Sequence, residues 1–216
     1  DLEALVQRMG AARTLHALLG ARPDTRRLAH HAGYPLDAEA MLIIEVEGSI
    51  AEQDALLARI KDICARFDPI SLKVAETAEQ SLAIWKGRKG AFGAVGRISP
   101  DYLCMDASIP RKQLATMLHA IEALQEVHQL RCVNVFHAGD GNLHPLILFD
   151  ANDAGQLQRA EAFGLAILNQ AVALGGTITG EHGVGIEKIN QMCSQFTRPE
   201  LAMFFRVKGA FDPQGL

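Results

Sequence analysis

The chain has 216 residues, 49% hydrophobic and 21% charged, with a formal net charge of -4. That is enough apolar material for a sizeable core in one large domain or two small ones, and the lack of a long basic run argues against a nucleic-acid surface. No apolar stretch approaches the roughly 18 residues of a membrane span, and Asp1-Leu2-Glu3 lacks the features of a secretory leader, so a cytoplasmic location is the default expectation.

Cys64, Cys104, Cys132 and Cys193 are far apart and form no Cys-x-x-Cys pair. They read as reduced, mostly buried thiols rather than as a zinc knuckle or a disulfide framework. The chain opens on Asp1 and not on methionine, which reads as an excerpt of something longer.

In chain order, Leu2, Leu5, Val6, Met9, Ala12, Leu15, Leu18 and Leu19 recur at helical spacing, and Gly20 is a natural stop. Residues 22–35 are basic and broken by Pro23, Gly33 and Pro35, as in a linker or a short second helix. Residues 1–35 are therefore set apart as an N-terminal helical segment with no assigned role, and 36–216 as the main domain. The run Met-Leu-Ile-Ile-Glu-Val over 41–46 reads as a strand, followed by a helix over 51–67 and a strand over 72–75. A helix over 77–92 leads through a glycine-broken connection to a strand over 103–109, a helix over 112–128 and a strand over 131–136. A hairpin partner at 144–149 extends the sheet, a long helix follows over 155–174, and a last one covers 199–207. Two β-α-β units in this order suit an α+β fold, a mainly antiparallel sheet of split β-α-β type with helices on one face.

The stretch with the clearest chemistry is His137-Ala138-Gly139-Asp140-Gly141-Asn142-Leu143-His144. Strand-like residues flank a turn-forming Gly-Asp-Gly-Asn segment, so a four-residue loop over 139–142 sets His137 opposite His144. Directly opposed side chains have Cβ atoms roughly 4.5–5.5 Å apart, close enough for two imidazoles to share one ion. Two histidines alone are as readily surface or core residues. Downstream, Gly175-Gly176-Thr177-Ile178-Thr179-Gly180-Glu181-His182-Gly183-Val184-Gly185 surrounds one acid and one histidine with glycines. Glu181 can complete a two-histidine, one-carboxylate set with open coordination positions, and His182 suits a general base at neutral pH. A dinucleotide loop is disfavoured because the third glycine of Gly-x-Gly-x-x-Gly is missing after Gly185. Asp140 and Asn142 are first of all turn residues. Pro145 removes a ladder donor, which suggests pairing on one side only near the turn. Arg88 shares a helix face with Trp85 and carries a fork that can grip a carboxylate; a surface cation is the plain alternative.

Together, His137-x-Gly-Asp-Gly-Asn-x-His144, Gly180-Glu-His-Gly-Val-Gly185, Trp85-Lys-Gly-Arg88 and Gly96-Arg-Ile-Ser-Pro-Asp-Tyr102 resemble the C-terminal domain of the FAD-linked 2-hydroxyacid oxidases and dehydrogenases. The similarity is closest to glycolate oxidase D subunits, with D-lactate and D-2-hydroxyglutarate dehydrogenases as relatives, and runs from about Gly33 to the C-terminus. It implies a duplicated ferredoxin-like domain that caps FAD held mainly by a separate domain of the full-length chain, absent here, so that this chain alone is catalytically silent. It also implies that His137, His144 and Glu181 bind a divalent metal (zinc, manganese or iron), that His182 is the base, and that Arg88 holds the substrate carboxylate. No residue of this chain is assigned to the flavin. Phe92 and Cys104 stand where some relatives carry a threonine and a lysine, which favours a small 2-hydroxyacid such as glycolate or D-lactate over longer diacids. Electron-acceptor subunits are further partners of such an enzyme. Two other readings fit the residues: a metal-dependent hydrolase using the same ligands to activate water, and a non-catalytic binding or assembly domain.

Overall fold

Pro145–Phe149 is apolar at every position, the pattern of a strand covered on both faces. In the computed structural model, which describes residues 40–215, this segment is the central strand of the larger sheet. The helix expected over 2–19 and the linker over 22–35 lie outside the described residues.

The helices are α1 (Ile50–Ala65), α2 (Ala78–Val95), α3 (Leu114–His128), α4 (Gln156–Ala173), α5 (Met192–Gln195) and α6 (Arg198–Phe211), and the strands β1 (Asp101–Cys104), β2 (Ala107–Ser108), β3 (Arg131–Asn134), β4 (Asn142–Leu143) and β5 (Pro145–Phe149). Strand β5 lies between β1 and β3 and is antiparallel to both, while β2 pairs with β4 in a second, short sheet. With β5 inserted between them, β1, α3 and β3 make one split β-α-β unit. The architecture is α+β. Residues 41–46 and 72–75, expected as strands of a first unit, lie outside both sheets. Their β-branched and apolar character fits a half-buried pleated surface, but Leu42, Ile44 and Leu72 are exposed. The described residues therefore hold one paired unit rather than two.

Side chains alternate across the three-stranded sheet as strand geometry requires. Leu103, Cys132, Ile147 and Phe149 face Leu114, Met117 and Ile121 of α3 and Phe163, Ile167 and Leu168 of α4. On the opposite face Cys104, Val133, Leu146 and Leu148 meet Ala91, Phe92 and Val95 of α2. The expectation of helices on one face is thus corrected: α3 and α4 cover one face, and the end of α2 covers the other. The cysteines also differ from expectation, since Cys132 alone is buried, Cys64 and Cys104 are half-buried and Cys193 is exposed; all four are free. No described helix is long and apolar enough to cross a membrane.

Two local features position the site. The strand expected over 103–109 breaks at Met105 and Asp106: Met105 N still donates to Pro145 O at 2.9 Å, after which the chain leaves β5 and pairs with β4 as β2. The hairpin register is offset by two residues from the expected one. Asn134 faces Pro145, and His137 bridges Asn142 rather than His144. Asp140 N and Gly141 N both donate to His137 O at 3.1 Å, closing the loop one residue early. Gly141 adopts φ +74°, and a Cβ there would stand 2.2 Å from Ile109 O, so the tight loop needs glycine. Because side chains repeat every two residues, a two-residue offset keeps His144 on the expected face. Pro145 also departs from expectation. It begins a central strand, where a first residue has no need to donate.

Candidate metal centre

Strand β2 brings the two histidine-bearing segments together. Ser108 faces Asn142 on one side and bridges Thr177 on the other, with Ser108 N donating to Thr177 O at 3.3 Å and Thr177 N to Ser108 O at 2.8 Å. The hairpin end and the glycine-rich loop are therefore neighbours across one short strand. The imidazoles of His137 and His144 meet edge to face with centroids 5.6 Å apart, as diagonal rather than directly opposed neighbours. His182 stacks on His144 at 4.9 Å.

Glu181 stands among the three rings. Its Oε1 is 2.8 Å from His144 Nε2, 3.8 Å from His182 Nε2 and 4.0 Å from His137 Nε2. The candidate ligand atoms of His137, His144 and Glu181 all lie within 4.8 Å of one another. Two ligands at about 2.0–2.1 Å from one ion are at most about 4 Å apart, and the half-exposed side chains of His137 and Glu181 have room to close that gap. The donor set, two imidazoles and a carboxylate, suits zinc, manganese or iron. His144 is the fixed member, only 3% exposed. Burial holds it below the ordinary histidine value, against the pull of the Glu181 carboxylate, so its lone pair stays available to an ion. Cys104, His144 and His182 form a second cluster sharing His144. Burial and the nearby Asp106 carboxylate push the Cys104 thiol up to about 11, leaving it a neutral neighbour at pH 7.

The family described as FAD linked oxidases, C-terminal domain, matches residues 10–216. This chain belongs to that family. Among relatives, glycolate oxidase subunit GlcD of Escherichia coli K12 is 52% identical over 186 residues, which cover 86% of this chain and 37% of that protein. GlcD of Bacillus subtilis is 34% identical, over 85% of this chain and 39% of its own length. A mitochondrial cytochrome D-lactate dehydrogenase of Arabidopsis thaliana is 28% identical, over 85% of this chain and 33% of that protein. The chain thus spans little more than a third of the length of these relatives.

Within this FAD-linked oxidase domain, the structure brings four of the five singled-out residues, His137, His144, Glu181 and His182, into one cluster. It does not bring Arg88 into contact with them. Arg88 is half-buried on α2, in line with Ala91, Phe92 and Val95 at positions i+3, i+4 and i+7. That stripe covers the sheet face bearing Leu146 and Leu148, the face to which His144 also belongs by strand alternation. Trp85, also half-buried, lies one turn further back.

Sequence reasoning missed Asp106 and Lys188, which are 0% and 2% exposed. The Asp106 Oδ2 accepts from Gly180 N at 2.8 Å, Thr179 Oγ1 at 2.9 Å, His182 N at 3.0 Å and Glu181 N at 3.2 Å. Lys188 Nζ donates to Asp106 O at 2.6 Å and reaches Oδ2 at 3.4 Å. Burial alone would raise the Asp106 carboxyl, but these donors and the ammonium bring it down to about 2. Asn142 is more than a turn residue. It is buried, and its side chain abuts Gly180 so closely that a Cβ there would stand 2.2 Å from Oδ1.

Proposed function

We propose that this chain is the substrate and metal domain of a flavoenzyme that oxidises a small D-2-hydroxyacid, glycolate or D-lactate, to the 2-oxoacid. The observation that carries the reading is the convergence of three imidazoles on Glu181 Oε1 in a domain of the FAD-linked oxidase family. His137, His144 and Glu181 would hold a divalent metal, leaving positions open for the substrate's hydroxyl and carboxylate oxygens. When bound, the metal supplies a Lewis acid and the flavin, held mainly by another domain of the full-length protein, supplies a hydride acceptor.

This chain's own residues then bind and move a proton. His182, stacked on His144 and half exposed, takes the proton from the substrate hydroxyl at Nε2 as general base. Arg88, on the helix covering the same sheet face, grips the substrate carboxylate with its fork. Cys104 favours a short substrate: a neutral thiol offers no partner to a second carboxylate, and the buried cation nearest to it, Lys188, is engaged by Asp106. The hydrolase alternative shares the ligand set, but membership in a flavin-linked family supports oxidation.

The test is anaerobic mixing of the full-length protein with glycolate or D-lactate while flavin absorbance is followed. The flavin is expected to bleach, and His182→Ala to slow the bleaching by about 10²- to 10⁴-fold with metal still bound. No bleaching with either acid, or undiminished bleaching in the variant, would contradict the reading.

A further inference from the structure

Asp106 does more than pair with Lys188. Its Oδ2 collects the donors of residues 179–182 and the Lys188 ammonium, while among the described residues Oδ1 accepts only from Glu181 N, at 3.3 Å. Oδ1 faces His144 Nδ1 at 3.9 Å. That nitrogen is buried and has no hydrogen-bond partner among the described residues, an unusual condition for a buried polar atom. The ring's other nitrogen, Nε2, faces Glu181 Oε1 at 2.8 Å. His144 is therefore held between two carboxylates, an exposed one on the ligand side and a buried one behind.

We propose that Asp106 is the positioning residue of the metal centre: one buried carboxylate holds the loop carrying Glu181 and His182 and, through Oδ1, orients the His144 ring. The inference rests on the ligand assignment above. An ion on Nε2 leaves the imidazole proton on Nδ1, directed at Asp106, and a small ring movement turns 3.9 Å into a hydrogen bond. A carboxylate behind a ligating histidine fixes its tautomer and raises its basicity. Here the same carboxylate also fixes the second ligand segment through backbone N–H groups, so the hairpin and the loop share one anchor. Lys188, buried beside that anchor with Nζ 3.4 Å from Oδ2, favours its ionised form, which gives a buried lysine a role at the centre.

The test is calorimetric titration of zinc or manganese into the metal-stripped full-length protein, its Asp106→Asn variant, and an Asp106→Asn, Lys188→Met double variant that removes the unpaired cation. Asp106 as positioning residue predicts that a folded variant binds about 10- to 100-fold more weakly. Unchanged affinity in a folded variant would overturn the inference and leave the ligand assignment standing. If the unaltered protein binds no metal, the ligand assignment falls and the inference with it. Should neither variant fold, nitrogen-15 histidine spectra of the zinc-loaded unaltered protein decide. A proton on His144 Nδ1 supports the inference, and an unprotonated Nδ1 overturns it.

Discussion

At Gly180 the backbone passes so close to its neighbours that a Cβ would stand 2.2 Å from Asn142 Oδ1 and 2.7 Å from Asp106 Oδ1. Gly180→Ala must therefore push the loop away from the hairpin, carrying Glu181 with it. A displacement on the order of 1 Å can cost about 10²-fold in rate, so the variant is expected to lose turnover and metal affinity together while the helical core melts nearly unchanged. Normal metal binding in Gly180→Ala would show that the loop has slack that the geometry denies. His137, His144, Glu181 and His182 were legible in the sequence because rare residue types stand at turn-defined spacings. Asp106 and Lys188 were not: 82 positions apart, each reads as an ordinary surface charge, and burial, the property that makes them informative, is absent from local sequence. Asn142 reads in the sequence first of all as a turn residue, since its second neighbour, Gly180, comes from a distant segment.

Among the elements, α1 begins on Ser49, whose Oγ accepts from Glu52 N at 3.4 Å while Glu52 Oε2 accepts from Ser49 N at 2.8 Å, a reciprocal capping box. Ser49→Ala is expected to cost about 1 kcal/mol of helix stability, read as faster amide exchange in the first turn of α1; unchanged exchange would deny the cap a role. The Ser49 hydroxyl and backbone hold the Glu52 carboxyl below its ordinary value. A depressed acid contributes stability fully above its unfolded pKa, about 4.3, and loses it as pH falls through the lower folded value. The stability gap between the unaltered protein and Glu52→Gln is therefore expected at pH 6 and should close at acid pH; a gap that widens on acidification would contradict the cap. The positions of the described helices α1 to α4 followed from periodicity, whereas the strands expected over 41–46 and 72–75 did not form and the apolar run of Pro145–Phe149 is covered on both faces rather than one. The β-hairpin register did not follow, because the loop closes through Asp140 N and Gly141 N onto His137 O, a choice of turn geometry among several open to Gly-Asp-Gly. Nor did the break at Asp106, where the segment expected as one strand is divided between two partner strands.

For the described fold as a whole, the α+β architecture places the hairpin and a glycine-rich loop side by side across β2, and the end of α2 covers the sheet face that His144 shares. The proposed metal ligands thus come from two segments joined by one short strand, and the residue proposed for the substrate carboxylate from a helix on the same side. That arrangement makes metal content the most direct check on the central claim. Elemental analysis of the dialysed full-length protein is predicted to find near-stoichiometric zinc, manganese or iron, lost in Glu181→Ala and retained in His182→Ala. Metal absent from the unaltered protein, or undiminished in Glu181→Ala, would contradict the ligand set of His137, His144 and Glu181.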